Sequence, residues 1–139
     1  MRSVALLGRV VLLAGAVALA SPMARAWSAE GDVIIRATAL DPHLFRAVAG
    51  QRVNFVKRVN RPVHVEFGVD PSAHHVFQMP AGGPIWAVFY RPGTHPYIVH
   101  VYGGKTVVLH GLVEVVEDPD RPWGPGTCGA VVQEVCIEP

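Results

Sequence analysis

Histidines are the residues of this chain best suited to chemistry. The 139-residue sequence contains seven, a noticeable excess: His43, His64, His74, His75, His95, His100 and His110. Neutral imidazole binds Cu(II) and Zn(II), and imidazole alone does not select between them. His74 and His75 are adjacent, so on a strand they point to opposite faces and cannot both enter one site.

Two further side chains are candidate participants in a metal site. Glu66 alternates with His64 and therefore shares its face of a strand. Its carboxylate is a candidate ligand or an acceptor that fixes the imidazole tautomer, or else an ordinary exposed group. Met79 offers a thioether, a soft ligand suited to Cu(I); the alternative is a methionine that packs against Pro80.

The sequence lacks the common catalytic motifs. It contains no nucleophile elbow, no phosphate-binding loop, no Ser-His-Asp arrangement and no paired-carboxylate signature. We therefore predict that the protein is not an enzyme.

The N-terminus has the organisation of a signal peptide. Arg2 and Arg9 form a positively charged region that precedes an uncharged apolar run over residues 10–20. Residues 24–26 then form an A-x-A cleavage pattern. The run is about half of the roughly 20 residues that a bilayer span needs. We predict cleavage after Ala26 and a periplasmic or secreted protein with no membrane span; an uncleaved N-terminal anchor is the alternative.

Signal removal leaves 113 residues, enough for one domain with a core. Nine basic and eleven acidic residues remain, a net charge of −2. No basic run occurs, which argues against nucleic acid as a partner.

Both cysteines lie close to the C-terminus, at Cys128 and Cys136. Disulfides persist outside the cytoplasm, and neither a C-x-x-C motif nor a neighbouring histidine favours a metal or redox role. We predict a structural disulfide between them.

Short alternating segments separated by Gly, Pro, Asn and Asp dominate the mature chain and predict an all-β sandwich or barrel. The expected strands are 32–39, 43–48, 52–59, 63–69, 74–79, 85–90, 95–102 and 106–117. A helical turn is expected only near 70–76. We predict one β-domain over residues 27–117 and an irregular C-terminal extension over residues 118–139 that carries the disulfide.

The order of several markers resembles the cupredoxin family, the Greek-key β-sandwich of the small blue copper proteins. Residues 49–55 read AGQRVNF, and Asn60 precedes His64 by four positions. Residues 91–94 read RPGT and resemble the P-G-T-Y strand of that family, while residues 111–115 match its closing G-x-V-x-V. The resemblance covers residues 33–116 and implies a cupredoxin-like fold.

The chain departs from this family at the ligand that defines it. The resemblance places the copper-binding cysteine at the position of Val99, and Tyr102 and Lys105 occupy the stretch where a downstream histidine is expected. A blue copper centre needs a cysteine thiolate and two histidines. The sequence therefore argues against blue copper electron transfer.

The same resemblance implies a three-histidine set, His64, His100 and His110. His64 matches the first family ligand, and His110 lies beside the axial position. His100 would reach the thiolate position if Pro96 introduced a β-bulge that shifts the register by one. His95 is expected to be a packing residue.

We therefore expect an exported metal-binding protein, most simply for copper (zinc being the alternative), with a pale type 2 centre suited to storage, delivery or sensing. Its partners would be the ion and another periplasmic metal-handling protein. The alternative is a metal-free cupredoxin-like module that docks a partner, and a third hypothesis is a small copper oxidase with an open histidine site.

Overall fold

A computed structural model of the protein describes residues 30–68 and 75–138, and these residues form strands and loops without a helix. The predicted signal peptide and His74 lie outside the described residues. No helix among the described residues is long and apolar enough to cross a membrane.

The predicted strands are present with shifted ends, and three shorter ones join them. The expected strand 74–79 is present as His75–Gln78, and the helical turn expected near 70–76 lies largely outside the described residues. The strands are β1 Glu30–Ile35, β2 Leu40–Asp41, β3 Leu44–Val48, β4 Arg52–Lys57, β5 Val63–Phe67, β6 His75–Gln78, β7 Ile85–Phe89, β8 Gly93–Val101, β9 Val107–Val116, β10 Ala130–Val132 and β11 Val135–Glu138.

These strands form two mixed sheets that pack into a sandwich, so the predicted all-β sandwich is confirmed. The six-stranded sheet has the order β11-β10-β7-β4-β1-β2, and the five-stranded sheet has the order β3-β9-β8-β5-β6. Two pairs, β1 with β4 and β3 with β9, are parallel, and the other pairs are antiparallel.

Aromatic rings from both sheets form the centre of the core. Phe55 of β4 contacts Tyr97 of β8 and Phe67 of β5 edge to face, with ring centroids 5.0 Å and 5.6 Å apart. Gly111 of β9 lies opposite Tyr97, and a Cβ atom at that position would overlap the tyrosine ring. The absence of a side chain at Gly111 therefore makes room for the Tyr97 ring. Burial of that ring raises the pKa of the Tyr97 hydroxyl well above its usual range.

The C-terminal extension is more regular than the sequence predicts. The irregular structure expected over residues 118–139 is wrong for residues 130–138, because β10 and β11 form a hairpin that extends the six-stranded sheet. Its two-residue turn contains Gln133 and Glu134, both with positive φ (47° and 70°). This is type I′ geometry without the Asn-Gly pair that normally reveals it. The predicted disulfide between Cys128 and Cys136 is confirmed.

Candidate metal centre

The three histidines predicted to bind metal, and Glu66 with them, lie on the outer face of the five-stranded sheet. Along β5, residues 63, 65 and 67 are buried, so His64 and Glu66 point away from the core. His100 takes the outward direction on β8, and His110 does so on β9. Sequence alternation therefore predicted correctly that Glu66 shares a face with His64.

The bulge expected at Pro96 is wrong. Pairing between β8 and β9 runs without interruption from Gly93 opposite Val115 to Val101 opposite Val107. Pro96 is accommodated because β5 ends at Phe67, opposite Tyr97, so no β5 partner is paired with the proline. His100 consequently points outward, and Val99 points into the core.

The interior around Val99 is apolar. Val99 is fully buried, and its cross-strand partners are the buried Val65 and the partly buried Leu109. Both cysteines of the chain are joined in the disulfide, so no thiolate is present to bind a metal. This interior therefore does not fit a blue copper ion, for lack of donors.

His64 and His100 are direct partners across β5 and β8. Glu66 lies beside this pair, with its Oε2 atom 2.8 Å from Nε2 of His100. Both side chains are partly buried, with 25% of His100 and 16% of Glu66 exposed. When Nε2–H donates to the carboxylate, the lone pair of a neutral His100 is on Nδ1, so Glu66 fixes the tautomer that can bind an ion.

Tyr102 contacts both imidazoles, a role that sequence reasoning missed. Its ring meets the His64 ring edge to face at 4.9 Å and stacks on His100 at 6.1 Å with an interplanar angle of 15°. Its backbone N–H donates to the carbonyl of Pro62 at 2.9 Å, which fixes the start of the loop after β8. The usable signal was spacing, because Tyr102 follows His100 by two residues.

His110 is not a direct partner of this pair. It lies opposite Ile98, two residues before His100 on the outer face, and it is exposed. Among residues 30–68 and 75–138, no group of three or more His, Cys, Asp or Glu side chains is arranged to hold a metal ion. The set of His64, His100 and His110 stays a prediction.

Met79 and His95 belong to the core. Met79 is 4% exposed, within the hydrophobic core. His95 is 2% exposed, and its Nδ1 and Nε2 atoms lie 2.9 Å from Glu138 Oε1 and 2.7 Å from the Arg91 carbonyl oxygen. Its predicted packing role is confirmed.

Comparison with solved structures identifies the architecture. An amicyanin variant in its Cu(I) form superimposes with a TM-score of 0.50 and 21% identity, covering 67% of this chain and 88% of amicyanin. The fold is cupredoxin-like. Pseudoazurin from Methylobacterium extorquens AM1 gives a TM-score of 0.42 and 19% identity, covering 62% and 74% of the two chains. A purple cupredoxin from Nitrosopumilus maritimus gives 0.44 and 19%, covering 62% and 99%.

At these identities the likeness is one of fold alone. No protein-family model matches the sequence, and a search of curated proteins finds no significant match.

Proposed function

We propose that this chain is an exported cupredoxin-like protein that binds copper on the outer face of its five-stranded sheet, for storage or delivery. The observation that carries the proposal is the cross-strand pair of His64 and His100, with Glu66 2.8 Å from His100. Directly opposite residues on paired strands have Cβ atoms about 4.5–5.5 Å apart, close enough for two imidazoles to bind one ion.

The donor types select the class of centre. Two imidazoles suit Cu(II) and also Zn(II), and they supply none of the thiolate covalency of a blue site. The bound Cu(II) ion would therefore be pale and would give a type 2 spectrum. Binding without a chemical reaction is the function proposed, and the recipient would be another periplasmic metal-handling protein.

The test is a Cu(II) titration of the untagged mature chain, followed by EPR and by the weak d–d absorption. We expect a saturable type 2 signal with nitrogen hyperfine structure. His64→Gln and His100→Gln should each abolish or strongly weaken it. His43→Gln, which changes an exposed histidine away from the pair, is the matched control and should leave the signal unchanged.

His110→Gln tests the three-histidine set separately. Loss of one nitrogen coupling in that variant would add His110 to the ligands, and an unchanged spectrum would restrict the site to the cross-strand pair.

A metal-free docking module is the competing function, and the exposed apolar side chains of the same face favour it. That function would replace the copper proposal if stoichiometric Cu(II) and Zn(II) left both the spectrum and the melting temperature of the mature chain unchanged.

A further inference from the structure

Basic side chains are concentrated at one end of the sandwich, where β1, β4 and β8 finish and β5, β7 and β9 begin. Five of the nine Lys and Arg residues after the predicted cleavage site lie there: Arg36, Lys57, Arg58, Arg61 and Lys105. Among the described residues, Asp41 is the one acidic side chain at this basic end, and it lies 3.9 Å from Arg36. The basic end therefore attracts anions, although the mature chain has a net charge of −2.

Backbone hydrogen bonds hold the loops of the basic end in place. The N–H of Arg58, just after β4, donates to the carbonyl of Ile35 at the end of β1, at 2.8 Å. The N–H of Met79, just after β6, donates to the carbonyl of Val63 at the start of β5, at 2.9 Å. Arg58 and the loop that begins at Met79 are therefore anchored on the ends of strands.

A cavity of about 260 Å³ lies between the last residues of β4 and the loop from β6 to β7. Its charged lining residues are Lys57 and Arg58, and residues 80–84, with the sequence PAGGP, contribute most of the remainder. No acidic residue of the part of the chain that the structure describes lines this cavity. At about 30 Å³ per water molecule, it has room for a small anion together with several waters.

Several hydrogen-bond donors of the cavity have no acceptor within the protein. The Lys57 Nζ atom donates to the Arg61 carbonyl at 3.1 Å, which leaves further N–H donors on that ammonium group. The Arg58 guanidinium makes no hydrogen bond or ion pair with residues 30–68 or 75–138. The backbone N–H groups of Ala81 and Gly82, in the turn, likewise have no acceptor among those residues. A Cβ atom at Gly82 would meet nothing within 4 Å, so the amide is open to an incoming anion.

We propose that this cavity binds a phosphate group, with Lys57, Arg58 and the N–H groups of Ala81 and Gly82 as donors. A phosphate carries a charge of about −1.5 to −2 near pH 7, which matches two cations, whereas a carboxylate carries half of that charge. Guanidinium binds two phosphate oxygens in parallel, and the other oxygens accept from the ammonium and the amides. Inorganic phosphate and an anionic phospholipid headgroup both present this group. The inference goes beyond copper binding and uses none of the proposed copper ligands.

The first arm of the experiment is a titration of the ¹⁵N-labelled, untagged mature chain with inorganic phosphate, followed by amide NMR at constant ionic strength. We expect saturable shifts at residues 57–58 and 80–83, and no such shifts with chloride. Arg58→Gln should weaken binding about tenfold, since it removes a charge-assisted hydrogen bond. Arg121→Gln, which changes an exposed arginine beyond β9 at the other end of the sandwich, is the matched control and should bind as the natural chain does.

The second arm is sedimentation of the same proteins with phosphatidylglycerol vesicles, with phosphatidylcholine vesicles as the reference. Stronger binding to phosphatidylglycerol that is lost in Arg58→Gln would identify a lipid headgroup as the source of the phosphate. Binding of inorganic phosphate without that preference would identify free phosphate, and either result supports the site.

Two results would overturn it. One is the absence of both saturable phosphate shifts and Arg58-dependent vesicle binding. The other is an equal loss of binding in Arg58→Gln and Arg121→Gln, because the net charge of the chain, and not the cavity, would then account for binding.

Discussion

At the scale of single residues, the proposed metal site depends on how the two imidazoles are held in the absence of an ion. Glu66 holds one nitrogen of His100, and the Tyr102 ring lies against both histidines. Each imidazole therefore has a neighbour that restricts its rotation. A preorganised ligand pair loses less side-chain entropy when it binds an ion.

Replacing Tyr102 tests this restriction. Aromatic contacts contribute about 0.5–1.5 kcal/mol, so Tyr102→Ala should weaken Cu(II) binding by about 2- to 10-fold. Tyr102→Phe preserves the ring and should bind within about twofold of the natural chain. Chelator competition measures both affinities. Equal affinity of the alanine variant and the natural chain would show that the ring does not organise the pair.

At the scale of elements, the β10–β11 hairpin forms without favourable turn residues. Gln133 and Glu134 both adopt positive φ, which costs a non-glycine residue roughly 1–2 kcal/mol. The flanking strands outweigh this cost, because β10 is bonded on both sides, to β7 and β11.

Glu134→Gly should therefore stabilise the protein. Glycine adopts the left-handed conformation without strain, but it loses more conformational freedom on folding. The net effect should raise the free energy of unfolding by about 0.5–1 kcal/mol. Thermal unfolding should show a melting temperature several degrees higher. Glu117→Gly is the control, because Glu117 is exposed and has no positive φ, and it should lower the melting temperature or leave it unchanged. A decrease for Glu134→Gly would contradict the prediction.

Alternation in the sequence predicted the strands well because each sheet has one buried face. It failed at the hairpin, since Gln133-Glu134 carries no type I′ signal. The same alternation predicts the outward orientation of His64, because His64 lies between the buried Val63 and Val65. The family resemblance brought His100 to the thiolate position through a bulge at Pro96, and the unbroken pairing of β8 with β9 excludes that bulge.

At the scale of the whole molecule, a partly buried polar cluster joins the two sheets near the C-terminus. Glu138 of β11 accepts from Arg91 at 2.6 Å and lies 2.9 Å from His95 of β8. Burial opposes ionisation of Glu138, but the hydrogen bond and charge of His95, together with Arg91, outweigh it and hold the pKa of this carboxyl below its usual value.

Acid should therefore weaken the connection between the sheets. A carboxyl with a lowered folded-state pKa stabilises the fold fully above its unfolded pKa, near 4.3, and this stabilisation is lost as the pH falls through the folded value. Urea unfolding from pH 7 to pH 3 should show Glu138→Gln less stable than the natural chain at pH 7, with the difference shrinking in acid.

Glu134→Gln serves as the control for this measurement, because Glu134 is an exposed turn residue of the same hairpin. Its stability should follow that of the natural chain across the range. A pH-independent difference between Glu138→Gln and the natural chain would show that the Glu138 charge does not contribute.

Among the described residues, no thiol or thioether is available as a metal ligand at the surface. Cys128 and Cys136 are bonded to each other, and Met79, the sole methionine in the part of the chain that the structure describes, is inside the core. Cu(I) prefers thiolate and thioether, whereas imidazole and carboxylate suit Cu(II). If the outer face binds copper as proposed, its donors would therefore bind Cu(II) in preference to Cu(I). On that proposal, a copper ion reduced to Cu(I) would be bound more weakly than Cu(II), with no change in the fold.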